Sequence, residues 1–246
     1  MSKVALVTGG NRGIGKAIIE EFAKSGLDVV INYCHHEDEA LELQKYISEK
    51  YNVSVMVCKC DISKEEEVEE MINDICDAFG GIDILVNNAS ICKDNLFLEK
   101  RVKDFKRILE VNVIGTYLVS KYVAKVMLEN KSGKIINISS TNAIDTFYPE
   151  SCDYDASKAG IISLTHNMAR EYAPFIRVNT VCPGWVDTDM NQNLSIEQIE
   201  EEKRKILLNR FADVEDISKV VVFLTSSDAK YVNDAIIKID GGRYNE

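Results

Sequence analysis

Val4-Ala-Leu-Val-Thr8, then Gly9-Gly-Asn-Arg-Gly-Ile-Gly15, then Lys16-Ala-Ile-Ile-Glu-Glu-Phe22 follow one another without a gap: an apolar run, a glycine-rich turn and an amphipathic segment. The first run has the length and β-branching of a buried strand, and the third repeats its apolar residues at helical spacing. Small residues between them let the chain turn tightly. They also leave the amide N–H groups of a helix start facing outward, where a pyrophosphate would bind. The spacing Gly9-x3-Gly13-x-Gly15 differs from the dinucleotide fingerprint Gly-x-Gly-x-x-Gly, although its mechanics are related.

Outward from this unit the same alternation repeats. Strands are expected at Val4–Thr8, Val29–Tyr33, Val53–Cys58, Ile82–Val86, Lys134–Ile138, Ile176–Val181 and Ala235–Ile239. Helices are expected at Ile14–Ser25, Asp38–Lys50, Glu65–Phe79, Val102–Glu129, Tyr154–Tyr172, Ile196–Leu208 and Val214–Thr225. Fully apolar strands separated by helices predict an α/β fold of the doubly wound Rossmann type. Its seven-stranded parallel sheet carries helices on both faces, in one domain spanning residues 1–246. Ser195-Ile-Glu-Gln198 reads as a capping box, and Asp61 and Asp213 stand where they would cap the helices after them. The run Lys64-Glu-Glu-Glu-Val-Glu-Glu70 reads as the solvated face of a helix.

Composition bounds the function. No segment approaches the roughly 18 unbroken apolar residues of a membrane span. The chain enters its first strand at once, which leaves no room for a signal peptide. Seven cysteines lie mostly within apolar runs, with no CxxC and no zinc spacing, so reduced thiols in a cytoplasmic protein and no metal site are expected. The formal charge is −11, with 29 basic against 40 acidic residues, which argues against nucleic acid or an anionic membrane as partner.

The end of the second strand, Asn32-Tyr-Cys34, has no acid for a ribose 2′-hydroxyl before Glu37. Arg12 in the glycine turn, with His35 and His36, would suit a 2′-phosphate instead, although the two histidines read equally well as an ordinary loop. NADP(H) is therefore expected over NAD(H). Asp61 could accept from an adenine amino group as well as cap a helix. Farther on, Tyr154-Asp-Ala-Ser-Lys158 puts a phenol and an ammonium on one helix face. A nearby ammonium and an oxidised nicotinamide would both favour phenolate and lower the tyrosine pKa toward neutrality. Lys158 can also reach ribose hydroxyls. Ser140, just past a strand end, can hydrogen-bond the carbonyl oxygen that Tyr154 protonates.

In this ordered set the chain resembles the short-chain dehydrogenase/reductases of about 250 residues, nearly end to end. The motifs are Thr8–Gly15, Asn87-Asn-Ala89, Asn112, Ile138-Ser-Ser140, Tyr154-x3-Lys158 and Pro183-Gly184. The resemblance implies that Ser140, Tyr154 and Lys158 are catalytic and that Asn112 holds a water in the proton relay behind the lysine. It implies cofactor contacts at Gly9, Asn11, Arg12, Gly13, Ile14, Gly15, Asp61, Ile62, Asn88, Ala89, Tyr154, Lys158, Pro183, Gly184 and Thr188. It also puts Asn87 beside the adenosine ribose and Thr188 on the nicotinamide carboxamide, and it implies a homotetramer. Residues 185–208 would form a substrate lid whose apolar members Trp185, Met190 and Leu194 suit an acyl chain or an ordinary amphipathic helix alike.

The departures are Ser90 where the family has glycine, a Ser140–Tyr154 spacing one residue longer than is common, and Asn233-Asp234 near the C-terminus. The longer spacing makes Thr141 a rival for the hydroxyl role. Nothing in the sequence accounts for Asn233-Asp234, and His166 reads as a surface residue.

Among relatives the likeness is greatest to 3-oxoacyl-[acyl-carrier-protein] reductases, then to glucose dehydrogenases. This makes an acyl-carrier-bound or other small-molecule ketone the expected substrate, with a sugar or other alcohol as alternative. Lys131 falls near a basic position of the carrier reductases, and Phe175 near another that is not basic here. Asp145, Glu150, Asp153 and Asp155 form an acidic run around the tyrosine that would repel an acidic carrier, unless they are ordinary loop and first-turn carboxylates. A non-catalytic NADP(H) sensor on the same fold is the reading from another class, against which all four catalytic residues count.

Overall fold

Residues buried on both faces of a strand are mostly apolar, and in the central runs Val4–Val7 and Ile84–Val86 they are entirely so. In the computed structural model, which describes residues 2–188 and 194–244, Val4 and Leu6 enter one core and Ala5 and Val7 the other. The strands are β1 (Val4–Val7), β2 (Asp28–Tyr33), β3 (Val55–Lys59), β4 (Ile84–Asn87), β5 (Gly133–Ile138), β6 (Ile176–Pro183) and β7 (Ile236–Ile239). They form one sheet in the order β3-β2-β1-β4-β5-β6-β7, parallel throughout. On one face lie α1 (Gly13–Lys24), α2 (Glu37–Lys50) and α8 (Val214–Thr225), with Ile18, Ile19, Phe22, Ile47, Val221 and Leu224 in the core. The other face is covered by α3 (Glu65–Phe79), α5 (Thr116–Glu129) and α6 (Cys152–Glu171) through Met71, Ile75, Val119, Val123 and Met168.

Strand order reverses between β1 and β4, which opens a crevice at their carboxyl ends. The expected Val102–Glu129 helix is continuous but not uniform. It begins as α4 (Val102–Leu109), passes through a π-helical segment (Glu110–Gly115) and resumes as α5. α7 (Ile196–Arg204) is four residues shorter than the expected Ile196–Leu208. Its continuation turns away because Ile206 is buried, and the amides of Leu207 and Leu208 donate to Gly242 and Gly241. No helix among the described residues is long and apolar enough to cross a membrane.

Capping is partly as expected. Ser195 and Gln198 form the reciprocal box, and Asp216 accepts from the amide of Asp213. Asp61 does not cap α3, whose preceding residue is Lys64. Instead it accepts from the amide and hydroxyl of Ser63 at 3.1 and 2.7 Å. Near the C-terminus, Asn233 and Asp234 acquire an explanation. Asn233 accepts from the amide of Val178 at the start of β6, and Asp234, at φ 59°, pairs with His166 on α6.

Candidate active site

The turn after β1 is built as a cradle. Gly9 and Gly13 sit at φ 59° and 53°, a region open to glycine. A β-carbon on Gly15 would lie 2.2 Å from the Gly9 carbonyl and 2.6 Å from Nδ2 of Asn88. Asn88 donates to the carbonyls of Thr8 and Gly9, both at 3.0 Å, and Thr8 accepts from the amides of Asn88 and Ala89, which locks β1's turn to β4's. Asn11 donates to the carbonyls of His35 and His36. Among the described residues no side chain caps α1, so there its first-turn amides are open beside the exposed Arg12 and the half-buried Ile14. The glycines leave space, and uncapped amides with a cation beside them suit a dinucleotide phosphate. We expect Gly15→Ala to weaken binding of NADPH by about a hundredfold, read by fluorescence titration, because both atoms it meets are fixed by the Asn88 clip. Affinity within threefold of the parent protein's would contradict this.

Around the cradle the other expected cofactor residues fall unevenly. Thr188 comes to the glycine turn, its methyl 3.7 Å from where a Gly13 β-carbon would sit. Pro183 ends β6, and Gly184 follows with Asp240 too close to admit a side chain. Burial alone would raise the Asp61 pKa, but Ser63 and Arg107, whose guanidinium lies 2.9 Å away, hold it below its ordinary value. The Ile62 side chain is buried against Gly115, leaving its backbone for a ligand. The Asn87 side chain is buried at the end of β4. It gives its amide hydrogens inward to Ser120 and Asn137, each at 2.8 Å, because it points into the sheet interior. Asn32, also buried, ties the ends of β1, β2 and β3 together.

Across the crevice stand Ser140, just beyond β5, and Tyr154 and Lys158 on the first turns of α6. The Ser140 hydroxyl neighbours the Tyr154 phenol and donates to Oδ1 of Asn142 at 3.3 Å. Lys158 is 1% exposed and donates to the carbonyl of Ile138 at 2.9 Å, with its ammonium 5.4 Å from the Tyr154 ring centre. Thr141 opens a short 3₁₀ turn, and its carbonyl receives the amides of Ile144, Asp145 and Thr146. Asn112, in the π-helical segment, exchanges hydrogen bonds with the backbone of Ile91 and donates to Ser157, the neighbour of Lys158.

The electrostatics differ from expectation. Burial pushes the Tyr154 phenol up, assisted by the nearby Cys92 thiol, and the Ser140 hydrogen bond only partly offsets this. Burial pushes Lys158 down to about 8. Desolvation disfavours the charged form of each group, so it outweighs the ammonium's pull on the phenol.

Two of the four carboxylates around the tyrosine are paired with a lysine, and a third is held by neutral donors. Asp153 is fully buried against Lys100 at 2.8 Å, Asp155 accepts from Asn142 and Ser151, and Asp145 meets Lys238 at 2.6 Å. Of the four, Glu150 alone is exposed. Lys131 and Phe175 lie just before β5 and β6, at the amino edge of the sheet and opposite the crevice. Glu202 on α7 was not foreseen. It accepts from Trp185 (2.8 Å), Tyr148 (2.9 Å), Lys205 (2.8 Å) and Arg243, joining the start of the expected lid to the wall before α6. Trp185 also stacks on Phe211 at 5.4 Å. Leu194 is half-buried, while Met190 lies outside the described residues. Among the described residues no group of three or more His, Cys, Asp or Glu side chains is placed to hold a metal.

Residues 9–244 match a family model described as enoyl-(acyl carrier protein) reductase. A 3-oxoacyl-[acyl-carrier-protein] reductase of Aquifex aeolicus is 38% identical, over 98% of this chain and 97% of that protein. One from Staphylococcus epidermidis is 38% identical, over 99% of this chain and all of the other. A solved double mutant of a Serratia marcescens short-chain dehydrogenase/reductase superposes with a TM-score of 0.92 at 34% identity, covering 98% and 97% of the two chains. A levodione reductase structure gives 0.92 at 29% identity, covering 97% and 96%.

Proposed function

The chain belongs to the short-chain dehydrogenase/reductase family of oxidoreductases, and from that premise we propose that it reduces a ketone to a secondary alcohol with NADPH. The observation that carries the reading is the gathering of Ser140, Tyr154 and the buried Lys158 at the carboxyl end of β5, across the crevice from the glycine cradle. Two hydroxyls converging on one oxygen would hold a carbonyl by hydrogen bonds that strengthen as charge develops on it. Tyr154 gives its proton to that oxygen, and Lys158 replenishes the positive field beside the phenol. Asn112 keeps Ser157, and with it the turn of α6 that carries Lys158, in place. The residues around Gly9–Gly15, Asn88, Ala89, Pro183, Gly184 and Thr188 would hold the dinucleotide. The chemistry supplied by bound nicotinamide is hydride transfer to the carbonyl carbon.

Arg12 is exposed at the cradle, and Glu37 near the end of β2 lies 3.7 Å from Lys59, which favours a 2′-phosphate over a bare ribose. The substrate we favour is a 3-oxoacyl group on an acyl carrier, as named for the bacterial relatives. Ion pairs at two of the four carboxylates near Tyr154, Asp153 with Lys100 and Asp145 with Lys238, reduce the repulsion that argued against it. We read the exposed Phe223, Tyr231 and Ile236 as part of the surface a homotetramer would bury. The test is a panel of 3-oxoacyl thioesters (free and carrier-bound), an enoyl thioester, sugars and simple ketones, run with both cofactors. We expect turnover of 3-oxoacyl thioesters with kcat/KM at least tenfold higher for NADPH. A clear preference for NADH would overturn the cofactor assignment. Carrier substrates no better than simple ketones would remove the acyl-carrier reading, and cofactor binding without turnover would favour a sensor.

A further inference from the structure

Two loops wall the crevice on either side of Tyr154: residues 88–101, between β4 and α4, and residues 139–151, between β5 and α6. A buried ammonium joins them, beside the hydrogen bond from the Asn95 amide to the Glu150 carbonyl at 3.0 Å. Lys100, its side chain 3% exposed, donates to the carbonyl of Lys93 at 2.7 Å, the carbonyl of Glu150 at 2.9 Å and Oδ1 of Asp153 at 2.8 Å. That uses all three donors of an ammonium. The same Oδ1 of Asp153 accepts the backbone amide of Tyr154 at 2.9 Å, at the start of α6, where the helix dipole favours a carboxylate. Oδ2 of Asp153 is buried with no hydrogen-bond partner among the described residues. A pair so placed is costly to desolvate, and hydrophobic replacements often match or exceed its contribution to stability. Its geometry fixes position instead: one carboxylate oxygen holds both the catalytic helix start and the opposite wall.

Resting on the ketoreductase reading, we infer that Lys100 and Asp153 are a positioning pair that fixes the Tyr154 hydroxyl relative to the 88–101 wall. An ångström of misplacement at a reacting group can cost about a hundredfold in rate. Asp153→Asn removes the charge and keeps the shape. In it we expect kcat to fall at least tenfold, the NADPH dissociation constant to stay within twofold, and amide exchange across residues 91–101 to quicken at least tenfold. Lys100→Met should behave alike. The double variant Lys100→Met/Asp153→Asn should recover the parent melting temperature but not the parent kcat, which a merely structural pair would recover. Parent-like kcat in any folded variant, the double included if the single variants fail to fold, overturns the assignment. Should the parent protein reduce no ketone, the ketoreductase reading fails separately. The exchange measurement still judges the pair, since unchanged exchange at 91–101 overturns it.

Discussion

Tyr154→Phe is expected to lower kcat for ketone reduction by roughly a thousandfold, the scale of a lost general acid, with NADPH binding within about twofold of the parent. Phenylalanine fills the same space, so the loss isolates one hydroxyl, and a folded variant that retains a tenth of the parent rate would exclude Tyr154 as the acid. The pH dependence follows from burial. With its pKa pushed up, Tyr154 keeps its proton throughout the neutral range. Lys158, lowered to about 8, carries its charge below that pH and loses it as pH rises through it. Reduction should therefore be level near neutrality and decline above pH 8. A reduction rate that climbs from pH 7 to 9 would contradict the assignment of Lys158.

Ser140→Ala is expected to cost on the order of a hundredfold in kcat, the scale of one lost donor to a developing oxyanion, while Thr141→Ala should stay within about threefold. The two positions differ in which part of the residue is used. The Ser140 hydroxyl neighbours the Tyr154 phenol, whereas Thr141 is engaged through its carbonyl, which alanine keeps. Ser140 also accepts from the amide of Asn142 at 3.2 Å, so the melting temperature of each variant should be measured alongside its rate. A larger loss at Thr141 would reverse the assignment.

The central strands were legible because both of their faces are buried, which leaves an apolar run that no other role explains, the edge strands β3 and β7 by their β-branched residues, and each boundary falls within two residues of expectation. The glycine turn and Tyr154-x3-Lys158 were legible because their geometry is local. Asp153 was not. A carboxylate in a sequence carries no sign of the cation that will cover it, and Lys100 lies 53 residues away. For the same reason a charge count misjudged the surface near the tyrosine, and the effect of burial on Tyr154 and Lys158 was out of reach. The end of α7 was lost to tertiary contacts, since Ile206 leaves the helical path to fill the space beside Gly241. Glu202 gave no signal at all, because its partners come from three separate stretches of chain.

The π-helical segment at Glu110–Gly115 has a consequence for how the gene can change in length. A π turn holds one residue more than an α turn, and each residue of helix advances the chain by about 100°. Deleting one codon there would close the wide turn to a regular one with α4 and α5 still in phase, so the change would fall on Asn112 and its neighbours within the segment. Asn112 could then no longer reach both Ile91 and Ser157. Point substitutions on the solvent side of this stretch should be borne easily, whereas frame-preserving deletions should be purged: the helix is tolerant in its letters and strict in its count.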